Sequence, residues 1–376
     1  MEIKRILETT IKKHLVSGKV NVLYGARRVG KTFLIKKIEK ELGLKTLWIN
    51  GEDIYYQKEL EVRSVINYKR LFSNIDLLII DEAQVIPNVG KILKLIVDEM
   101  PELKIIASGS SAFDLSNKLG EPLVGRAYWH ELFPFAQTEL KNHENLVEIR
   151  SKMEERIIYG SYPDVYNLEN VDDKAVYLKN LVTTYLLKDI INYEGIRNSS
   201  KIYDLLKLIA YQIGKEVSLQ ELSNQLEISK ITVEKYLDLL EKVYVLKKIR
   251  GFSKNLRKEV TKSSSWYFWD TGVRNAVLND FRTISFRNDF GDLWENYLFI
   301  ERLKKNEYER KFTETYFWRT YDQQEIDCIE VRNQEIEAFE FKWGNKKAKI
   351  PIAFANAYPE AKFSVITKEN YLDFIE

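Results

Sequence analysis

The chain has 376 residues, of which 45% are hydrophobic and 30% are charged. This length indicates more than one domain, and the apolar content suffices for several cores. The 58 Lys and Arg residues against 56 Asp and Glu residues give a net charge of +2, so any affinity for nucleic acid must come from local patches. One cysteine excludes an internal disulfide, and no apolar run approaches a membrane span, so a cytoplasmic protein without membrane contact is expected.

The N-terminal region predicts a helix, a strand and a second helix in that order. Residues 2–16 carry apolar side chains at helical spacing and predict an amphipathic packing helix. Residues 19–24 form a short apolar run that predicts a buried strand, and residues 33–42 predict a helix with an outer row of Lys and Glu. The stretch between them, Gly25 to Thr32, satisfies the phosphate-loop pattern G-x-x-x-x-G-K-[ST]. An ordinary glycine turn is the alternative, and the flanking strand and helix favour the phosphate loop.

Each part of this loop has a chemical reason to be there. The two glycines let the backbone curl, so that successive N–H groups and the helix N-terminus point at a β-phosphate. Lys31 brings a positive charge to the β- and γ-phosphates, and the hydroxyl of Thr32 can reach Mg²⁺. The predicted nucleotide-binding residues of the loop are Gly25, Arg28, Gly30, Lys31 and Thr32.

Two further strands supply candidate catalytic residues. A strand over residues 45–50 is followed by a fully apolar strand over 75–80, which ends in Asp81 and Glu82. A buried parallel strand carries carboxylates at its C-terminal end where that end opens on a site, a solvent-exposed strand end being the alternative. We expect Asp81 to hold Mg²⁺ through water and Glu82 to take a proton from the water that attacks the γ-phosphate.

Two later segments complete the predicted nucleotide site. The strand from Lys104 ends at Ser108 and is followed by Gly109-Ser110-Ser111. Either Ser108 or Ser110 would sense the γ-phosphate, and the sequence does not choose between them. Arg126 lies just before a further strand and is our candidate for an arginine that neutralises transition-state charge from a neighbouring subunit. That role requires a homo-oligomer, and a surface arginine paired with a carboxylate is the alternative.

The phosphate loop, Asp81-Glu82, Gly109-Ser110-Ser111 and Gly125-Arg126 together resemble the AAA+-type ATPases of archaea and bacteria that carry a C-terminal domain of unknown function related to nucleases. Three later motifs extend the resemblance over nearly the whole chain: Tyr159-Gly160-Ser161-Tyr162-Pro163, Tyr185-Leu186-Leu187-Lys188-Asp189-Ile190 and Phe268-Trp269-Asp270-Thr271-Gly272. The resemblance implies a core sheet in which the strand ending at Ser108 lies between the other two motif strands.

The middle of the chain predicts a helical segment and then a helix-turn-helix. Residues 141–198 contain few Gly or Pro and predict a helical lid packed on the nucleotide side. Ser218 with Glu221 forms a capping-box pattern, and Ser229 predicts the start of a second helix in the recognition position.

A basic stretch follows the helix-turn-helix, between two strand-like segments. It contains a single negative residue, Glu259. Its positive residues are Lys247, Lys248, Arg250, Lys254, Arg257, Lys258 and Lys262. This pattern indicates the wing of a winged helix. A basic wing would contact the phosphate backbone of DNA, and winged helices also serve as protein contacts.

The C-terminal segment predicts a second site. Glu295 lies on a predicted helix, Asp327 on a strand, and Glu340 with Lys342 on a third strand, where the alternation of a strand points both side chains to one face. Asp327 and Glu340 can share Mg²⁺ or Mn²⁺ with Glu295 completing the carboxylates, while Lys342 lies beside the attacking water. This order resembles the PD-(D/E)xK nuclease fold. An inactive nuclease-like domain, serving as a DNA clamp or a dimerisation module, is the alternative.

The sequence therefore predicts an α/β protein that binds ATP and Mg²⁺ and acts on DNA. The predicted domains are a P-loop AAA+-type ATPase core (residues 1–140), a helical lid (141–198), a winged helix-turn-helix (199–272) and a PD-(D/E)xK nuclease-like α/β domain (273–376). An ATP-driven enzyme that cleaves DNA is the first hypothesis. A nucleotide-switched regulator whose C-terminal domain has lost its chemistry is the second.

Overall fold

The computed structural model describes residues 2–109, 119, 121–186, 199–253, 264–320, 322–344 and 348–376. The chain divides into two compact units, Met1–Pro134 and Phe135–Glu376. In the described ranges, no helix combines the length and the apolar composition needed to cross a bilayer.

The N-terminal unit alternates strands and helices, as an α/β core does. Its described elements are α1 (Ile6–His14), β1 (Val20–Tyr24), α2 (Lys31–Leu42), β2 (Thr46–Asn50), α3 (Ile54–Glu61), α4 (Val65–Leu71), β3 (Leu77–Asp81), α5 (Val89–Glu99), β4 (Lys104–Gly109) and β5 (Ala127–Glu131). The predicted helices and strands of this region are confirmed, with bounds that differ by up to four residues.

All neighbouring strands of this unit run parallel, in the order β2-β3-β4-β1-β5. The strand that ends near Ser108, β4, therefore lies between β3 and β1, as the family resemblance implied. Because parallel strands place their carboxyl ends at one edge of the sheet, the phosphate loop after β1, Asp81 at the end of β3 and Ser108 near the end of β4 meet at the same edge.

Helix α1 is bound to α2 through a buried carboxylate. The Glu8 carboxylate on α1 forms one ion pair with Lys12 at 2.9 Å and another with Lys37 of α2 at 3.0 Å. Burial raises the pKa of the Glu8 carboxyl, but the hydrogen bonds and charges of the two lysines outweigh burial, so the pKa lies below its ordinary value of 4.5. The charged form of Glu8 is therefore the one that stabilises this contact.

The C-terminal unit is built from helices around one mixed sheet. Its described elements are α6 (Gln137–Leu140), α7 (Leu146–Tyr159), α8 (Pro163–Asn167), α9 (Val171–Asn180), a π-helical turn (Leu181–Leu186), α10 (Ser199–Tyr211), β6 (Glu216–Val217), α11 (Leu219–Leu226), α12 (Lys230–Lys242), β7 (Leu246–Gly251), β8 (Ser264–Phe268), α13 (Thr271–Leu278), α14 (Phe290–Tyr308), β9 (Glu314–Arg319), β10 (Glu325–Arg332), β11 (Glu335–Phe341), α15 (Ile352–Ala357), β12 (Lys362–Ile366) and α16 (Tyr371–Ile375).

The sheet of this unit has seven strands in the order β12-β11-β10-β9-β7-β8-β6. Strands β6 to β8 belong to the predicted winged helix and β9 to β12 to the predicted nuclease-like domain. The two groups meet where β7 pairs in parallel with β9, with Arg250 opposite Tyr316. One continuous sheet thus spans the boundary predicted at residue 272, and the four-domain division stays a prediction.

The helix pair predicted from its capping residues is present at α11 and α12. The Ser218 hydroxyl accepts a hydrogen bond from the N–H of Glu221 at 3.3 Å, and the Ser229 hydroxyl accepts one from the N–H of Thr232 at 3.1 Å. The Glu221 carboxylate accepts from the amide of Gln225 at 3.2 Å, one turn further along α11. The wing residues Lys254, Arg257, Lys258 and Lys262 lie outside the described residues, as do Lys188 and Asp189 of the resemblance motif.

We predict that Glu8→Gln lowers the free energy of unfolding by about 2 kcal/mol at pH 7, because it removes the charge that two lysines contact. Because the folded-state pKa is depressed, this stabilisation is present above pH 4.5 and is lost as the pH falls through the folded-state value. Urea denaturation at pH 7 and pH 3 measures the difference in free energy of unfolding between wild-type protein and the variant, which should be smaller at pH 3. Glu41→Gln removes the more exposed partner of Lys12 and is the matched control, with an expected cost below about 0.5 kcal/mol.

Candidate nucleotide site and C-terminal carboxylate site

The phosphate loop has a backbone that only glycine can follow at its first position. Gly25 has φ +146°, and a Cβ there would lie 2.1 Å from the carbonyl oxygen of Leu132. Gly30 has φ +96° and immediately precedes α2. Arg28 also takes a left-handed conformation, with φ 65°, and its side chain is exposed. The loop therefore curls ahead of the helix N-terminus, as a phosphate site requires.

Lys31 lies over this loop in the described structure. Its ammonium group is buried and donates to the carbonyl oxygens of Gly25 at 3.0 Å and Ala26 at 2.8 Å. Those two carbonyls hold the charge above the loop, where it can reach phosphate oxygens.

The Asp81 carboxylate connects three motif segments. Its Oδ2 accepts a hydrogen bond from the Thr32 hydroxyl at 2.8 Å, and its Oδ1 accepts one from the buried Ser108 hydroxyl. Thr32 and Asp81 offer hard oxygen atoms side by side, a donor set that suits Mg²⁺. Ser108 thus lies in the site, while Ser110 lies outside the described residues, so the choice of sensing serine stays open.

Glu82 is held by two residues that the sequence reasoning did not identify. It takes a left-handed conformation with φ 52°, and its Oε2 accepts a hydrogen bond from Nε2 of Gln84 at 2.5 Å. A Cβ on Gly51, just after β2, would lie 2.3 Å from the Glu82 carbonyl oxygen. The signals in the sequence were a glycine directly after a strand and a polar residue two positions after Glu82.

Arg126 lies where β1 and β5 begin, at the edge of the sheet opposite to the phosphate loop. It precedes β5, and its carbonyl oxygen accepts a hydrogen bond from the N–H of Val20 at the start of β1. Its guanidinium pairs with Asp98 of α5 at 2.6 Å, with 36% of the arginine side chain and 37% of the aspartate side chain exposed. The hydrogen bond to Asp98 raises the pKa of Arg126. The side chain therefore forms the surface ion pair of the alternative hypothesis, and its action on a neighbouring subunit stays a prediction.

The residues of the predicted metal site come together in the C-terminal unit. Asp327 lies in a β-bulge, because two residues, Asp327 and Cys328, separate Ile326 from Ile329 on β10, where only Phe317 separates their partners on β9. A bulge redirects a side chain out of the regular alternation. Oδ2 of Asp327 accepts a hydrogen bond from the N–H of Phe341 on β11 at 2.6 Å. This contact places Asp327 directly beside the strand that carries Glu340.

Glu340 and Lys342 form an ion pair at 2.5 Å, as expected for two residues on one face of a chain in extended conformation. Glu295 on α14 accepts a hydrogen bond from the hydroxyl of Tyr267 at 2.7 Å. A Cβ on Gly214 would lie 2.8 Å from the Glu295 carboxylate. Tyr267 and Gly214 were not identified as site residues from the sequence, because both lie far before Glu295 in the chain, Tyr267 by 28 residues.

Burial and neighbouring charges shift the pKa values of Asp327, Glu295 and Lys342. Burial and the charge of Glu340 raise the pKa of Asp327 to about 7. Burial and the charge of Asp327 raise the pKa of Glu295 well above its ordinary value. Burial lowers the pKa of Lys342, but the hydrogen bond to Glu340 and the nearby carboxylates outweigh burial and raise it. The charge of Glu340 therefore makes Asp327 harder to ionise, and the charge of Asp327 makes Glu295 harder to ionise, a situation that a bound cation would relieve.

The fit of these residues to a metal ion is partial. Oε2 of Glu340 is buried and makes no hydrogen bond within the described part of the chain, so an acceptor is available for a cation. Across those same residues, however, no three His, Cys, Asp or Glu side chains are arranged to hold a metal ion. The oxygen donors suit Mg²⁺ or Mn²⁺, and the side chains would have to shift to coordinate either.

Comparison with protein families separates the chain into three matched segments. Residues 17–141 match the family described as AAA domain. This match covers most of the N-terminal unit, which therefore resembles an AAA domain, and we call this unit the AAA core. Residues 150–283 match a domain of unknown function, DUF8612, and residues 290–375 match another, DUF4143. The second of these matches covers Glu295, Asp327, Glu340 and Lys342, and its description assigns no chemistry to them.

The chain also resembles two uncharacterized proteins over most of its length. It is 25% identical over 380 residues to an uncharacterized protein of Methanocaldococcus jannaschii, covering 95% of this chain and 83% of that protein. It is 25% identical over 348 residues to an uncharacterized protein of Mycobacterium tuberculosis, covering 90% of this chain and 74% of that protein. In both relatives, the AAA core and the two following domains are thus aligned in one chain.

Among solved structures, a RuvB variant of Thermotoga maritima covers 65% of this chain and 86% of its own, at 19% identity and a TM-score of 0.33. A STAND-type signal transduction ATPase of Pyrococcus horikoshii covers 81% of this chain and 46% of its own, at 14% identity and a TM-score of 0.31. TM-scores this low establish no shared overall fold.

We predict that Asp327→Asn stabilises the protein at pH 8 by on the order of 2 kcal/mol in the absence of divalent cations, because the wild-type carboxylate must ionise next to Glu340. A raised folded-state pKa means that wild-type stability is full at low pH and falls as the pH rises from about 4 to about 7. The asparagine of the variant does not ionise, so the stability of the variant does not fall as the pH rises. The urea midpoints of the two proteins should therefore agree at pH 4 and differ at pH 8. Glu335→Gln, which changes an exposed carboxylate of the same sheet, should give no such separation.

Proposed function

We propose that the chain is a Mg²⁺-dependent ATPase whose C-terminal unit acts on DNA. One observation carries the first part of the proposal, the contact of Thr32 with Asp81 at 2.8 Å beside the buried Lys31. A lysine, a hydroxyl and a carboxylate at the carboxyl edge of a parallel sheet are the groups that bind a nucleoside triphosphate with its metal.

The protein residues divide the chemistry of hydrolysis among them. Backbone N–H groups of the phosphate loop and the Lys31 ammonium neutralise phosphate charge, and Thr32 with Asp81 would hold Mg²⁺, which neutralises further charge on the phosphates. Ser108 fixes the orientation of Asp81 through its hydrogen bond. Glu82 removes a proton from the attacking water, and Gln84 holds the Glu82 carboxylate in place until a nucleotide binds.

We predict that Lys31→Ala weakens both ATP binding and turnover, because the charge acts on bound and reacting phosphates alike. Glu82→Gln should bind ATP with nearly wild-type affinity and hydrolyse it at least about a hundredfold more slowly, because only the proton acceptor is lost. Phosphate release assays together with equilibrium binding of ATP separate the two effects. A wild-type rate for Glu82→Gln would show that Glu82 is not the base.

We propose in addition that the ATPase assembles as a homo-oligomer in which Arg126 acts on the nucleotide of a neighbouring subunit. Its position at the end of the sheet opposite to the phosphate loop supports action on another subunit over action within its own. Asp98 would have to release the guanidinium on assembly, and their pair is partly exposed and therefore weak enough to exchange partners.

The proposed activity of the C-terminal unit is metal-dependent cleavage of a DNA phosphodiester bond. The support is the ion pair of Glu340 with Lys342, the position of Asp327 beside the strand that carries Glu340, and the buried Oε2 of Glu340, which makes no hydrogen bond within the described residues. The charge of Asp327 also contributes to the raised pKa of Glu295, after burial. Asp327 and Glu340 would hold Mg²⁺ or Mn²⁺, and the Lys342 ammonium would lie next to the attacking water. The helix pair α11 and α12 and the basic segment after β7 would bring DNA to the protein through phosphate contacts.

We predict that Asp327→Ala and Glu340→Ala each abolish metal binding and DNA cleavage, because the remaining carboxylates hold too little charge to retain the ion. Lys342→Ala should retain the metal and cleave slowly, since only the charge beside the nucleophile is lost. Isothermal titration with Mn²⁺ and cleavage of branched, duplex and single-stranded DNA measure these effects, while ATP hydrolysis should stay nearly unchanged.

The regulator hypothesis makes the opposite prediction for the same measurements. If wild-type protein cleaves no form of DNA with Mg²⁺ or Mn²⁺, the C-terminal unit is an inactive nuclease-like module and the proposed cleavage is wrong. Cleavage that survives the combined change of Glu340 and Lys342 would come from a contaminating nuclease and would equally contradict the assigned site.

A further inference from the structure

Arg5 joins the phosphate loop to the end of the N-terminal unit. The residue is only 5% exposed. Its Nη1 donates to the carbonyl oxygen of Val29 at 2.9 Å, and its Nη2 donates to the carbonyl oxygen of Phe133 at 2.6 Å. Val29 is the loop residue before Gly30, and Phe133 is the second residue after β5. One buried guanidinium therefore bridges two segments that are distant in sequence.

The neighbouring residue, Leu132, makes a second contact between the same two segments. Its N–H donates to the carbonyl oxygen of Tyr24 at 2.8 Å. Its own carbonyl oxygen lies so close to Gly25 that a Cβ there would come within 2.1 Å. Leu132 thus approaches the first residue of the phosphate loop directly, and Phe133 is connected to the later part of the loop through Arg5. Pro134 follows them and is the last residue of the N-terminal unit.

Arg5 itself is fixed in position by the helix that it precedes. Helix α1 begins at Ile6, and its buried Glu8 pairs with Lys37 of α2 at 3.0 Å. Helix α2 starts at Lys31, directly after the phosphate loop. The guanidinium is planar and presents its donors in a fixed fork, so it holds two acceptors at a defined separation with little loss of side-chain freedom.

We propose that Arg5 is a positioning residue for the nucleotide. It keeps the phosphate loop in its phosphate-binding conformation and couples occupancy of that loop to residues 131–134, through which the chain enters the C-terminal unit. Phosphate binding to the loop restricts the motion of Val29. The two hydrogen bonds of the Arg5 guanidinium transmit this restriction to the carbonyl of Phe133. The inference rests on the proposed function, since it needs the loop to bind nucleotide.

The test compares wild-type protein with Arg5→Lys and Arg5→Ala. A lysine retains the charge but carries a single nitrogen, which cannot hold both carbonyls in the same geometry. Both variants should raise the KM for ATP by about tenfold or more, equivalent to about 1.4 kcal/mol, with a much smaller change in kcat. Arg70→Ala is the matched control, because this arginine belongs to the same unit and its side chain is 74% exposed, and it should leave KM unchanged.

Hydrogen–deuterium exchange with and without ADP tests the coupling directly. In wild-type protein, ADP should slow exchange in the phosphate-loop peptide and also at the Leu132 amide. In Arg5→Lys, saturating ADP should still protect the phosphate loop but no longer protect Leu132. Millimolar guanidinium chloride should lower the KM of Arg5→Ala towards the wild-type value and have no such effect on Arg70→Ala, a rescue that a loss of general stability would not show.

The outcomes separate this inference from the proposed function. If wild-type protein binds no ADP or ATP, the proposed ATPase function is itself wrong. If nucleotide binds but leaves Leu132 unprotected, or if Arg5→Lys retains both the wild-type KM and the protection of Leu132, the role of Arg5 is overturned while the ATPase stands. The wild-type exchange experiment decides the coupling even if Arg5→Ala fails to fold.

Discussion

The carboxylate of Asp81 is the point on which the nucleotide site depends. Its two oxygens accept hydrogen bonds from Thr32, the last residue of the phosphate loop, and from Ser108 on the neighbouring strand. These residues are far apart in sequence, and only the parallel order of β3, β4 and β1 brings them to one edge. A different strand order would leave the same motifs intact and the site unassembled. The motifs therefore function only together with this topology.

The AAA core could be predicted well from the sequence because its motifs carry both chemistry and local structure. The glycines of the loop, the apolar strand before Asp81 and the strand before Ser108 all have their predicted conformations. The contacts of Gly51 and Arg5 could not be predicted in the same way. They join segments whose approach depends on tertiary packing, and a single Arg in a sequence has no periodicity or spacing that marks it.

In the C-terminal carboxylate site, too, the local arrangement could be predicted from the sequence and the tertiary contacts could not. The Glu-x-Lys spacing predicts that Glu340 and Lys342 share one face, because alternation along a strand is a local property, and the two side chains form an ion pair. The β-bulge that redirects Asp327 depends on how β10 pairs with β9, which no sequence pattern revealed. The hydrogen bond from Tyr267 to Glu295 was likewise invisible, since it crosses from one matched domain to the next.

The parallel pairing of β7 with β9 has a consequence for how this chain can be divided. Phe252, directly after β7, packs among Trp318, Ile326 and Phe354 in the core of the last four strands. A protein shortened to begin after residue 272 would lose that aromatic side chain and expose the free edge of β9. Unpaired edge strands recruit strands from other molecules, so such a fragment would self-associate through its backbone. Because the two domains of unknown function share one sheet within one compact unit, we expect them to unfold together.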